Sequence, residues 1–297
     1  MKKILTLTLA LCAVLCGCGE SESTTQATTS ATEQTTVQST TTAETTAEAT
    51  TDAEATVAEE TTVINTYEGI RANTLDNNLF ADMQGLKKYG ESSLCGIDVS
   101  SYNGNIDWAR VKNSGIDFAM IRIGGRGYGE SGVLYSDDNA IQYINEAKAQ
   151  GIKVGVYFFS QAVNETEAIE EADYIYNQLG NIKLDFPIGF DWEVIENDTA
   201  RTDNVTNEEL TACARAFCDR VIERGNTPII YSESYELYNK YDINKLSDID
   251  LWYCEYADTP TFDYEFSMWQ YSCTGQLDGI DGNVDLNICF TDIADYD

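Results

Sequence analysis

From about Cys95 onward, short β-rich apolar runs alternate with segments of helical periodicity, and this alternation constrains the fold more than any other feature of the chain. Runs at 94–99, 118–123, 154–160, 187–193 and 228–232 have the Val, Ile, Phe and Tyr content of strands. Between them, 107–113, 137–150, 165–179 and 207–224 repeat apolar residues at helical spacing, several with Asn, Asp or Thr near the start as a cap. Gly115, Gly151, Gly180 and Gly225 follow these helices, where a left-handed C-cap favours glycine. Strands joined through helices argue for an α/β domain with a parallel sheet. After Ser232 the rhythm changes: 250–256, 266–272 and 284–290 read as strands, but the links between these last three are too short for full helices. The expected fold is a TIM-like barrel of five βα units followed by three strands with little helix, occupying 95–297. Residues 66–94 form a lead-in segment, with a helix expected over 78–89 that leads into or covers the barrel.

The chain begins Met1-Lys2-Lys3 and continues into an apolar run over 4–16, too short to span a bilayer but suited to a secretory signal. That run closes on Leu15-Cys16-Gly17-Cys18, which resembles the bacterial lipoprotein signal with Cys18 as the lipidated residue. Residues 1–18 are therefore read as the signal peptide, and membrane association is expected only through the lipid. Residues 19–65 are built almost wholly from Thr, Ser, Ala, Glu and Gln, with no aromatic residue. Such a segment is expected to be a disordered tether, about 40 Å end to end on average by coil scaling.

The formal charge of −32 is not confined to the tether, because 95–297 holds 37 acids and 13 bases, a net of −24. That argues against nucleic acid as a partner and against basic patches adhering to anionic lipid. There is no histidine, which removes Ser-His-Asp and Cys-His catalysis and the common His-ligated zinc sites. Carboxylate chemistry remains. Cys95, Cys213, Cys218, Cys254, Cys273 and Cys289 show no CxxC spacing, so no metal is expected, and any disulfide pairing is unreadable from sequence.

Phe190-Asp191-Trp192-Glu193 places two carboxylates two residues apart at the end of an apolar run. If the run is a strand, its period of two turns Asp191 and Glu193 to one face and Trp192 to the other. Two such acids repel when both are ionised, so one can keep a proton at neutral pH, as general acid catalysis requires. The bland alternative is an acidic strand end in solvent or a helix cap. In a parallel barrel, functional groups sit at the carboxyl ends of the strands. Asp98, Tyr157, Phe159, Asp191, Glu193, Tyr231, Trp252, Tyr256, Trp269, Gln270 and Asp285 are the residues expected there, with core packing as the alternative for the aromatics.

The residues resemble glycoside hydrolase family 25, the lysozymes that cleave bacterial peptidoglycan. The resemblance runs through Gly96-Ile97-Asp98-Val99-Ser100, Ile106-Asp107-Trp108, Phe118-Ala119-Met120-Ile121-Arg122 and Gly155-Val156-Tyr157-Phe158-Phe159-Ser160. It continues in order through Phe190-Asp191-Trp192-Glu193, Ile230-Tyr231, Leu251-Trp252, Trp269-Gln270-Tyr271 and Val284-Asp285-Leu286-Asn287. It implies hydrolysis of the β-1,4 bond between N-acetylmuramic acid and N-acetylglucosamine, with Glu193 as general acid and Asp98, Asp191 and Asp285 as the other active-site carboxylates. It also implies sugar-stacking walls and hydroxyl donors from Tyr157, Phe159, Tyr231, Trp252, Tyr256, Trp269 and Gln270. The expected partner is the peptidoglycan glycan strand, engaged by a monomer without cofactor. A substrate-assisted second step, with Asp191 orienting the 2-acetamido group, is preferred to inversion by a water that Asp98, Asp191 or Asp285 activates. Chitinase-like barrels carry a further Asp two residues before their acidic pair, where this chain has Gly189. A glycan-binding module without turnover is the non-enzymatic alternative.

Overall fold

The computed structural model of the protein describes residues 70–290. The expected signal peptide, Cys18 and the tether over 19–65 lie outside these residues. Among the described residues no helix is long and apolar enough to cross a membrane.

The barrel strands and their helices follow the expected order. They are β3 (Leu94–Val99), α1 (Trp108–Asn113), β4 (Phe118–Arg126), β5 (Leu134–Ser136), α2 (Ala140–Ala149), β6 (Lys153–Ser160), α3 (Glu165–Leu179), β7 (Ile188–Trp192), α4 (Asn207–Glu223), β8 (Pro228–Glu233), α5 (Ser234–Asn239), β9 (Asp250–Cys254), β10 (Met268–Gly275) and β11 (Val284–Cys289). Side-chain caps start three of these helices: Asn164 accepts from the Glu167 N–H, Asp107 accepts from the Arg110 N–H, and Thr206 with Glu209 forms a capping box. The four glycines expected to follow the helices all have positive φ.

The sheet order is β3-β11-β10-β9-β8-β7-β6-β4, and the pairing of β3 with β4 closes it into a barrel, with β5 appended to β4. The expected parallel sheet fails at the last strand, because β11 is antiparallel to both β10 and β3. The reason is the link over 276–283, which is too short for the crossover a parallel return would need.

Successive side chains enter two separate apolar layers. On β4, Phe118 and Met120 belong to a small cluster with Phe186, Ile229, Trp252 and Met268, whereas Ala119 and Ile121 belong to the large layer beneath the helices. The small cluster fills the barrel interior, where Phe118 stacks on Phe186 with centroids 4.6 Å apart. Asp98, Asp191, Gln270 and Asp285 are each flanked in sequence by residues of the outer layer, so the strand period turns all of them inward.

The helix expected over 78–89 is instead a hairpin, β1 (Phe80–Met83) paired antiparallel with β2 (Leu86–Tyr89). Gln84 and Gly85 between them have φ of 56° and 88°, the left-handed pair that a two-residue hairpin turn demands. Phe80 and Tyr89 pack edge-on against Phe290, and Phe80 also meets Trp269 at 5.5 Å. The hairpin thus seals the outer layer near the start of β3, away from Asp98.

Candidate active site

Asp98 and Asp285 are direct cross-strand partners in the antiparallel β3–β11 register. Asp98 is 5% exposed. One of its oxygens accepts from Asn287 Nδ2 at 2.7 Å and from Gln270 Nε2 at 2.9 Å. Burial raises its pKa to about 6 even though those amide donors, and a hydrogen bond with Asp285, pull the other way. Asp285 is raised further, to about 8, by burial and then by the charges of Asp98 and Glu193. Both carboxyls are therefore disposed to hold protons above the ordinary carboxylate range.

Gln270 organises the floor. Its Oε1 accepts from Tyr231 Oη at 2.9 Å, Tyr256 Oη at 3.2 Å and the Cys254 thiol at 3.1 Å, which leaves its amide nitrogen to face Asp98. Asn287 plays the same part for Trp252, whose Nε1 donates to Asn287 Oδ1 at 2.8 Å. Asn287 was not singled out from sequence, although its place two residues after Asp285 on the same strand face was the available signal. Cys254 is a buried thiol donating to Gln270, which accounts for its position by packing and hydrogen bonding.

Asp191 is 4% exposed, and its Oδ1 has no hydrogen-bond partner. Its pKa is pushed well above the carboxylate range, first by desolvation and then by the charge of Glu193, with which it shares a hydrogen bond. Glu193 lies one residue beyond β7 rather than within the strand, and it is open to solvent at the rim. Its pKa is raised too, by the protein packed around its carboxyl and by the charges of Glu233, Asp98 and Glu236, while the hydrogen bond with Asp191 opposes the rise. Two carboxyl pairs, each disposed to hold one proton, thus stand at one end of the barrel.

The remaining expected residues divide. Tyr157 and Tyr231 are half-buried beside the carboxyls, Phe159 stands opposite Asp191 in the β6–β7 register, and Tyr256 is exposed at the rim. Trp252 is buried between Tyr157 and Tyr231, with centroids 5.9 and 4.9 Å away, so it supports the floor and offers no open face to a sugar. Trp269 does not join the group. It points into the outer layer, wholly buried against Phe80 and Tyr271, with Nε1 donating to the Glu255 carbonyl at 2.9 Å. The reason is parity: adjacent strand residues face opposite ways, so Gln270 and Trp269 cannot both line the site.

Arg122 was missed as a site residue. It extends from β4 to the buried Asp137, with its Nη2 2.8 Å from Asp137 Oδ2, and its guanidinium lies 4.9 Å from the ring of Tyr102. Its charge opposes the upward shift of Asp191. A separate recess of about 770 Å³, lined by Asn105, Glu146 and Asp278 among others, contains none of these groups.

An α/β barrel with paired carboxyls at one rim is the architecture of a carboxylate-dependent glycosidase. The profile of the family described as glycosyl hydrolases family 25 matches residues 97–280, and the chain belongs to that family. It is similar to the autolytic lysozyme of Clostridium acetobutylicum, 29% identical over 194 residues that cover 65% of this chain and 54% of that protein. It is also similar to lysozyme M1 of Streptomyces globisporus, 26% identical over 206 residues covering 66% and 67%. The chain spans about half the length of the first of these relatives. Its fold is similar to a bacterial lysozyme from Streptomyces coelicolor, with TM-score 0.59 and 24% identity over 68% of this chain and 94% of that one. It is likewise similar to the spore cortex lytic enzyme SleM of Clostridium perfringens, with TM-score 0.60 and 23% identity over 70% and 71%.

Proposed function

We propose that the chain is a peptidoglycan hydrolase, an N-acetylmuramidase that cleaves the β-1,4 bond between N-acetylmuramic acid and N-acetylglucosamine. The observation that carries this reading is the Asp191–Glu193 pair, one carboxyl deep with an unpartnered oxygen and the other carried by an exposed residue at the rim. An amide N–H of a 2-acetamido sugar that meets Asp191 Oδ1 favours the ionised form of Asp191. The shared proton then passes to Glu193, which is placed to donate it to the glycosidic oxygen as the bond to C1 breaks. The acetamido carbonyl oxygen closes on C1 to form an oxazolinium ion. Water then opens that ion while the Glu193 carboxylate takes up its proton, and configuration is retained. Asp98, held by Gln270 and Asn287, and its cross-strand partner Asp285 shape the floor beneath the sugar. Tyr256 supplies an exposed ring at the edge.

The domain from about residue 66 onward is expected to release new reducing ends at muramic acid from purified peptidoglycan. Glu193→Gln should lower the rate by about 10²- to 10⁴-fold, the usual worth of a general acid, with the fold intact. Reducing ends on N-acetylglucosamine, or an unchanged rate in the variant, would defeat the assignment. Residues 1–18 support export and lipid anchoring at Cys18. Cys18→Ser should release the protein into the medium, and continued membrane association would rule the anchor out.

A further inference from the structure

Glu193 stands just past the last rungs of the sheet. The β6–β7 ladder ends at Ser160 with Trp192, and the β7–β8 ladder ends at Asp191 with Tyr231. Its main chain therefore lacks the strand partners that hold Asp191. Gln161, the residue after β6, takes their place: its Nε2 donates to the Glu193 carbonyl at 3.1 Å, and its Oε1 accepts from Thr202 Oγ1 at 2.8 Å. Gln161 is wholly buried and Thr202 is 5% exposed.

The clamp is itself held. The Gln161 carbonyl accepts from Arg201 Nη1 at 3.1 Å, and the Arg201 guanidinium forks onto both oxygens of Glu167 on α3, each at 2.8 Å. One carboxamide therefore ties both ends of the 193–202 loop to the exit of β6, and the adjoining arginine ties the loop to α3. The task needs an amide, because one end must donate to a carbonyl while the other accepts from a hydroxyl. A carboxylate at this position lacks the donor, and a thioether lacks the donor and accepts only weakly.

We propose that Gln161 is the positioning residue of the general acid, setting where the Glu193 carboxyl sits relative to Asp191 and the scissile oxygen. The inference rests on the assignment of Glu193 above. A displacement of about 1 Å at a reacting group is worth roughly 10²-fold in rate, so a loosened Glu193 should be visible in kinetics without loss of substrate binding.

The test compares the full chain with Gln161→Met and Thr202→Val, measuring kcat, KM and the pH–rate profile on peptidoglycan fragments, and the Glu193 carboxyl titration by ¹³C NMR. Gln161→Met should lower kcat by roughly 10- to 100-fold while KM moves less than about twofold, and the alkaline limb of the profile should shift. Thr202→Val should shift the same quantities in the same direction by less. If Gln161→Met only lowers the melting temperature, leaving kcat and the pH profile of the folded protein as in the wild type, the positioning role is overturned. If that variant does not fold, Thr202→Val decides, and wild-type kcat in the folded protein overturns the proposal. If the wild type releases no muramic acid ends, the functional reading fails separately. Positioning is then judged from the Glu193 titration, which either variant should move and which would stay put under a merely structural role.

Discussion

Asp98 accepts two amide donors and still has a pKa of about 6, which shows how far burial outweighs hydrogen bonding at this rim. The ordinary carboxylate value in an unfolded chain is about 4. Asp98 at about 6 and Asp285 at about 8 thus keep protons in the native state that the unfolded chain has already released. The unfolded state binds fewer protons across this window, so the contribution of the pair is retained below about pH 4 and lost as pH rises toward about 8. Thermal melts should show the domain less stable at about pH 8 than at about pH 5, and Asp285→Asn should flatten that dependence by removing the coupled charge. A slope unchanged in the variant would show that the pair does not set it. On the proposed mechanism the raised pair Asp191 and Glu193 places the loss of the catalytic proton above the ordinary carboxylate range, so the alkaline limb of the pH–rate profile should lie above that range. A limb at the ordinary carboxylate value would contradict the shared proton.

The elements with the clearest local signals agree with their sequence reading, and two short strand elements do not. The run read at 94–99 is β3 to the residue, and α3 coincides with 165–179, because strand composition and an Asn164 cap are local. The β1–β2 hairpin was missed because Gly85 was absorbed into a helical pattern, although two left-handed residues in succession end any helix. The strand β5 was also missed. It is three residues long and exists only because β4 offers an edge at Gly124 to Arg126. The hairpin packs on the outer layer far from the carboxyls, so Phe80→Ala should cost about 2 kcal/mol in chemical denaturation, somewhat below the value for a fully buried Phe, with kcat unchanged. A fall in kcat at wild-type stability would mean that the hairpin reaches the site.

At the scale of the molecule, the barrel segment carries a net charge of −24, and ion pairs such as Arg215 with Asp219 lie at the surface, where each contributes little. Like-charge repulsion should therefore outweigh pairing. Raising salt from about 10 to 200 mM shortens the Debye length from about 30 Å to under 10 Å, and it should raise the melting temperature. A melting temperature that falls with salt would mean that ion pairs dominate. Sequence alone determined the alternation of strands and helices and the inward direction of Asp191, because periodicity and composition are local or additive properties. Only the tertiary structure decided that Asp98 and Asp285 face each other across two strands, that Gln270 and Asn287 hold Asp98, that Trp269 faces away and that Gln161 clamps the main chain of Glu193. Those relations join residues far apart in the chain, and they exist only once barrel closure has fixed the register of one strand against the next.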